Sequence, residues 1–374
     1  MKLSLMKVAI VHDYLSQFGG AERVVSEMAR IFQDAPIYTS IFHPEMTWPE
    51  INHYRVFTTW LQNVPGSKRH FKLLLPLYPM VFEQMHFKNY DVVISSSSSF
   101  AKGVNVCPEA THICYCHTPT RFLWSFEDYL SRQGIGTWSR NVLRPVINAL
   151  QHWDLYAARK PDYFLANSSV VKQRIARIYG RDAQVIHPPV NVHRFKVAHK
   201  SENFYLIVSR LLSYKRIDIA VEAFNRLGLP LVIVGDGPDR AYLERLAKSN
   251  VTFTGYVNDT KVLDYFYRCR AFIFPGEEDF GIAPLEANAC GKPVIAYRAG
   301  GTLDTLIEGE SGLFFDEQDA ESLLQSVQSS RKISWDPGKI RLHAESFCPE
   351  NFQQKMINFV DEVTSKKAAI ELRR

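Results

Sequence analysis

Two glutamates, Glu278 and Glu286, stand eight positions apart in the run EEDFGIAPLEANACG. Paired carboxylates can act as a general acid and base, or they can accept hydrogen bonds from the hydroxyls of one ligand. The surroundings favour the second chemistry. The run follows the strand-like AFIFP, and Gly281 can take the backbone shape needed to open a helix. A helix beginning there points free N–H groups into the space above the strand ends. Glu278 would then lie in the loop and Glu286 inside the helix, both able to face one ligand. The alternative is a solvated acidic loop followed by a glutamate on a helix surface.

A basic pair comes earlier, in VSRLLSYKRID. Arg210 and Lys215 lie just past a strand and before a helix expected to start near Ile217. A phosphate group beside them would meet a guanidinium fork and a point charge. Arg216 is expected to face solvent or to pack. Gly19 and Gly20 follow the first strand and precede the first helix, where two glycines let the backbone approach a phosphate closely. Their spacing departs from the G-x-G-x-x-G of dinucleotide-binding sheets. His117, in CHTPTRFLW, ends a strand and is followed by Pro119. Solvated cations, a plain tight turn and a structural histidine are the competing explanations.

The elements that must position these residues alternate regularly. VAIV (8–11), DVVIS (91–95), HICYC (112–116) and YFLAN (163–167) are continuous apolar runs, as in parallel strands covered on both faces. AERVVSEMARIF places Val24, Val25, Met28 and Phe32 at helical spacing. The run Ser95–Ser99 begins where a strand ends and reads as a loop. A second series follows: FYLIVS (204–209), LVIV (231–234), VTFTG (251–255), AFIFP (271–275), PVIAY (293–297) and GLFF (312–315). Strand, helix, strand in both halves predicts two doubly wound α/β domains with a cleft between them. The expected boundaries are 1–190 for the first domain, 191–203 for a polar, basic linker, and 204–348 for the second. A final helical stretch, 349–374, is expected to return to the first.

Bulk properties agree with this class. A chain of 374 residues suggests two domains, and 46% hydrophobic with 22% charged residues is ordinary for a globular protein. A net charge of +5 and a pI near 8.7 lean basic without reaching the extremes of nucleic-acid-binding domains. They suit phosphorylated small molecules or an anionic membrane surface. His112, Cys114, Cys116 and His117 crowd together, but strand alternation sends neighbours to opposite faces, and no second cysteine pair stands at zinc spacing, so no metal site is expected. The six cysteines do not form a secreted disulfide pattern. MKLSLMKVAIVHDY has no uninterrupted apolar signal region, and no run of about 18 apolar residues exists, so a cytoplasmic location is expected. The segment 68–88 mixes Lys68, Arg69, Lys72 and Lys88 with many apolar residues. Peripheral contact with the inner face of a membrane is one reading and a buried helix with basic ends the other.

The spacing of Glu278 and Glu286, with F-G after the first and L-E-A around the second, resembles the retaining GT-B glycosyltransferases of the large family-four group. The likeness runs almost continuously from Tyr205 to Gly312, through VSRLLSYKRID, LVIVGDGP, VTFTGYV and AGGT. The N-terminal half matches at FGGAERV and CHTPTRFLW. The resemblance implies two Rossmann-like domains facing across a cleft, the donor nucleotide on the second and the acceptor on the first. Closure would bring Gly19 and Gly20 toward the donor diphosphate and exclude water. It implies that Arg210 and Lys215 contact the leaving diphosphate, Glu278 the donor sugar and Glu286 the ribose. Donor contacts are further implied at Phe280, Gly281 and Ile282. Thr254, Gly255 and Tyr256 correspond to the nucleobase edge, and Gly300, Gly301 and Thr302 to a loop near the phosphates. His117 would line the cleft beside the transferred sugar, while Arg121 and Trp124 would shape the acceptor side.

The expected reaction retains anomeric configuration and needs neither metal nor cofactor. The overall pattern looks most like bacterial mannosyltransferases that use GDP-mannose to build surface polysaccharides on a glycan or lipid-linked acceptor. A UDP-sugar-dependent hexosyltransferase, a non-catalytic nucleotide-binding scaffold and a dinucleotide oxidoreductase are the competing readings.

Overall fold

The computed structural model describes residues 6–66, 71–125 and 137–371. The chain divides into two compact units, one of Met1–Pro189 with Pro349–Arg374 and one of Val190–Cys348.

The first unit is built on β1 (Val8–His12), β2 (Ile37–Thr39), β3 (Val56–Thr58), β5 (Val92–Ser97), β7 (Thr111–Cys116), β8 (Tyr163–Ala166) and β9 (Gln184–Val185). Their order in the sheet is β3-β2-β1-β5-β7-β8-β9, and every pairing is parallel. The short β4 (His86–Phe87) and β6 (Asn105–Val106) pair separately. All residues of β1, β5 and β7 are buried, which explains their lack of polar alternation. One face packs Ile10, Ile94 and Ile113 against Val24, Val25 and Met28 of the helix Gly20–Ile31. The helix Pro349–Glu371 adds Phe352, Met356, Phe359 and Val363 at helical spacing to that same core. Each such fully buried side chain contributes about 1.5–3 kcal/mol. On the other face Val11 and Val93 meet Phe82 and Phe100.

The serine run departs from its expected loop. β5 continues through Ser97, with Ser95, Ser96 and Ser97 all buried. Ring nitrogens take up two of these hydroxyls, with Ser95 Oγ 2.9 Å from His112 Nε2 and Ser96 Oγ 2.8 Å from His117 Nε2, while Ser97 Oγ has no partner among the described residues.

The second unit holds β10 (Tyr205–Val208), β11 (Leu231–Val234), β12 (Val251–Gly255), β13 (Ala271–Phe274), β14 (Val294–Tyr297) and β15 (Gly312–Phe315). Their order is β12-β11-β10-β13-β14-β15, again all parallel. The helix Ile217–Leu227 buries Ile217, Ala220, Val221 and Phe224 on one side of this sheet. Residues 191–203, expected as a linker, belong to this unit. Val192 and Phe195 are buried in its core, and Arg341 Nη1 donates to the carbonyls of Val192 and Phe195. The Pro188-Pro189 pair therefore marks the crossing more closely than the polar stretch after it.

In each sheet the chain order reverses once, between β1 and β5 and between β10 and β13. At such a reversal the loops leave in opposite directions and open a crevice beyond the carboxyl ends of the strands.

Candidate active site

At the reversal point of the second unit, β10 ends and Arg210 follows with an exposed side chain that makes no ion pair among the described residues. Lys215 lies in a short 3-10 turn, Ser213–Lys215, and its Nζ donates to Glu278 Oε1. Glu278 comes from the loop after β13. Two residues expected to serve different parts of one ligand thus hold each other. Gly276 permits this closeness: a Cβ there would sit 2.8 Å from Lys215 Cα. Arg216 takes the left-handed conformation at φ 50° and turns away, bonding Asp218 and Gln318. Its expected role outside the site agrees with these contacts.

The helix Ile282–Ala289 starts at Gly281, whose φ is 86°, and no side chain caps it. Its first N–H groups therefore point out beyond β13, with Pro284 removing one donor that the helix does not need. Ile282 and Glu286 are partly exposed, whereas Phe280 is buried against Phe347. Gly300 and Gly301 serve this loop from behind. Gly301 N donates to Glu278 O at 2.8 Å, and a Cβ at Gly301 would sit 2.2 Å from Phe280 Cα. Thr302 is buried and bonds the carbonyls of Tyr297 and Ala299. These three residues shape the Glu278 loop; their side chains present nothing to a ligand.

At the end of β12, Thr254 Oγ1 donates to Gly255 O at 3.0 Å, and Gly255 O also accepts from Gly235 N. Tyr256 is 86% exposed, a free ring beside these backbone groups.

The reversal point of the first unit is a closed network. His12, Asp13 and Glu22 are all buried there, with His117 7% exposed. Asp13 accepts four backbone N–H bonds: Ser98 and Ser99 on Oδ2 at 2.6 and 2.9 Å, Phe100 and Ala101 on Oδ1 at 2.7 Å each. A carboxylate can be buried at this depth because its lone pairs are filled. His12 Nδ1 meets Ser96 O at 3.0 Å, and its Nε2 lies 3.9 Å from Glu22 Oε1. Burial pulls the His12 pKa down, but the Glu22 hydrogen bond and charge, with Asp13, raise it overall. His117 shares Ser96 Oγ through Nε2, and burial followed by the charge of His12 pushes its pKa down to about 3. It is a neutral imidazole whose Nδ1 has no partner among the described residues.

Gly19 caps the helix Gly20–Ile31, and a Cβ there would lie 2.2 Å from Glu22 Oε2. Gly19 thus makes room for a carboxylate of this same chain. Arg121 and Trp124 stand on a short helix, Arg121–Trp124. Trp124 Nε1 donates to Asp154 Oδ2 at 2.7 Å, so its only hydrogen-bond donor is committed inside the unit. Asp154 also receives Lys102, Thr120 and Tyr179. His12, Asp13, Glu22 and Ser96 were not singled out from sequence. Their signal was a His-Asp pair directly after VAIV, with a glutamate in the first turn after Gly-Gly.

Among the described residues no group of three or more His, Cys, Asp or Glu side chains gathers as a metal-ligand set, and all six cysteines are free. No helix of the described residues is long and apolar enough to cross a membrane. Lys68 and Arg69 of the basic segment lie outside the described residues. Further along it, Tyr78, Val81 and Phe82 are buried while Leu77 and Met80 are exposed.

Two doubly wound parallel-sheet units in one chain are the architecture of the GT-B class. The Anabaena protein HepE, solved in complex with UDP, matches with a TM-score of 0.70 at 17% identity, over 96% of this chain and 100% of that one. The family described as Glycosyltransferase Family 4 matches residues 18–194, and Glycosyl transferases group 1 matches residues 190–332. This chain belongs to the glycosyltransferases of that family-four group. O-antigen chain mannosyltransferase C of Escherichia coli is 32% identical over 192 residues, 46% of this chain and 50% of that protein. A GDP-mannose-dependent alpha-mannosyltransferase of Corynebacterium glutamicum is 37% identical over 121 residues, 32% of this chain and 29% of that protein. The chain thus spans half or less of the length of these two relatives.

Proposed function

We propose that this protein transfers a hexose from a nucleoside diphosphate sugar, mannose from GDP-mannose being favoured, to a glycan or lipid-linked acceptor. The observation that carries the proposal is an exposed Arg210, without an ion pair among the described residues, together with the Lys215–Glu278 contact at one reversal point, beside the uncapped helix start at Ile282. A diphosphate entering there would take Arg210 and draw Lys215 from Glu278, leaving that carboxylate for sugar hydroxyls. Glu286 would accept from the ribose, and the backbone at Thr254 and Gly255 would meet the base. Charge developing on the leaving phosphate would be met by cations already in place, worth about 3 kcal/mol by analogy with oxyanion-hole donors.

With Glu278 and Glu286 given to holding the sugar nucleotide, neither is assigned as an enzymic nucleophile. Retention would follow from same-face displacement, with the leaving phosphate oxygen accepting the acceptor hydroxyl's proton. Such a step requires no metal. His117, whose Nδ1 has no partner among the described residues, would contact a sugar bound at the first unit's own reversal point. Exposed Leu77 and Met80 support a peripheral membrane contact on the acceptor side.

The names of the two mannosyltransferase relatives support mannose. The UDP held by HepE supports a UDP-sugar as the second reading. A thermal-shift panel of GDP, UDP and ADP separates them. A ligand at a hundredfold excess over its dissociation constant stabilises by about 2.7 kcal/mol. Stabilisation by GDP alone is expected; stabilisation by UDP and not GDP overturns the mannose assignment. A chain that binds GDP yet releases no sugar from GDP-mannose with any acceptor would be a scaffold.

A further inference from the structure

A cavity of about 360 Å³ opens in the second unit at the ends of the strands opposite Lys215 and Glu278. By contrast, the hollow beneath that pair encloses only about 10 Å³. Arg270 stands directly before β13 and Lys292 two residues before β14, so both reach the cavity from the amino ends of neighbouring strands.

Lys292 is 1% exposed. Its Nζ donates to Lys200 O at 3.0 Å and to Ser201 Oγ at 2.7 Å. An ammonium has three donors, so one remains, and it forms no ion pair among the described residues. A buried ammonium without a counter-charge is costly, and burial pushes the Lys292 pKa down. The one carboxylate on the cavity wall, Glu202, is already forked by Arg268 through Nε at 2.6 Å and Nη2 at 2.9 Å. Arg270 is exposed at the rim and makes no ion pair among the described residues. Trp335 closes one side; its indole N–H is spent on Ser330 O at 3.1 Å, leaving a flat apolar wall. Two cations with no ion pair among the described residues, beside an aromatic face and in a volume normal for small-molecule sites, form a surface suited to an anion.

We propose that this cavity binds a phosphorylated ligand of monosaccharide size, with Lys292 and Arg270 on the phosphate and Trp335 against the carbon skeleton. Phosphate suits the pair better than a single carboxylate because it offers oxygens to a fork and to a point charge together. The site is separate from the proposed donor site but mechanically tied to it. Lys292 follows the helix Ile282–Ala289, and Asn288 Nδ2 donates to Lys292 O at 2.9 Å. An occupant would bear on the far end of the helix that carries Glu286. This is a place for regulation of donor binding by a phosphorylated sugar.

Isothermal titration of the full chain with inorganic phosphate and with a hexose 1-phosphate tests the proposal. Saturable binding of the hexose phosphate, tighter than inorganic phosphate, is expected. Arg270→Ala should weaken it about tenfold or more, the loss of one charged hydrogen bond, and Lys215→Ala should leave it unchanged. Lys292→Met should weaken it as well. If that variant fails to fold, the exposed Arg270 still decides. No saturable binding to the wild-type chain, or binding kept in Arg270→Ala and lost in Lys215→Ala, overturns it.

Discussion

The two units share a topology and a reversal point, yet they treat charge there in opposite ways. In the first, His12, Asp13 and Glu22 are sunk beneath the loops, and Asp13 is satisfied by four N–H groups of its own chain. In the second, Arg210 is exposed and makes no ion pair among the described residues, and Lys215 pairs with Glu278 beside the Tyr214 ring. A closed network rigidifies a surface, and its charges cannot be removed without loss of fold. Charges held at a rim are available to a ligand and can be removed without disturbing the core. The difference teaches which residues a mutation should treat as scaffold and which as chemistry.

The harshest way to break that comparison is to remove a buried charge from the first unit. Lys102→Ala leaves Asp154 with Thr120, Trp124 and Tyr179 but without its cation. Orphaning one half of a buried pair costs about 3–5 kcal/mol, to be read from urea denaturation. Arg210→Ala is the counterpart in the second unit. Turnover should fall about a hundredfold, with stability changed by no more than about 0.5 kcal/mol. An Arg210→Ala chain that loses stability, or a Lys102→Ala chain that keeps it, would show that the two reversal points are alike after all.

Legibility followed the same division. Continuous apolar runs such as VAIV and AFIFP announced both sheets, because strands covered on two faces have nothing polar to hide. The charges expected in the second unit's site stand in short loops directly after strands, where sequence alone can place them because they need no burial. The first unit's were not legible in this way. His12 and Asp13 look like a polar strand end until the turn at Ser98–Ala101 is seen folding its N–H groups onto the carboxylate. Ser95–Ser97 read as loop because hydroxyls in a central strand make sense only once His112 and His117 lie opposite them. Residues 191–203 read as linker because the two apolar residues that anchor them, Val192 and Phe195, are spread among basic ones.

The closed network should also set a pH dependence that the open site lacks. His112 and His117 are pushed down to about 3, each by burial first and a neighbouring positive charge second. Below the unfolded value near 6.5 the unfolded chain takes up their protons and the folded chain does not. Stability is therefore full above 6.5 and lost as pH falls, at up to about 1.4 kcal/mol per pH unit for each group. His12 has the opposite sign: its folded pKa is raised, so its contribution is present below 6.5 and lost as pH rises through the raised value. Below 6.5 His12 is protonated in both states and adds no slope, so the two lowered histidines give an unopposed net loss between pH 6.5 and 5. His117→Gln should roughly halve it, because His112 remains; urea midpoints with an unchanged slope would show that His117 does not resist protonation in the fold.

The smallest expected effect sharpens the comparison at its open end. Tyr256, 86% exposed beside Thr254 and Gly255, has no role in holding the second unit together. Tyr256→Ala should leave the melting temperature within the range of an ordinary surface change, about 0.5 kcal/mol. If the ring lies over the nucleobase, donor KM should rise severalfold while kcat stays the same, since base contacts are made equally in ground and transition states. An unchanged KM would assign base recognition to the backbone of Thr254 and Gly255, where Gly255 O already serves Thr254 Oγ1 and Gly235 N. In that case even the open site would read its ligand with groups fixed by the sheet, and only the phosphate cations would remain as its movable parts.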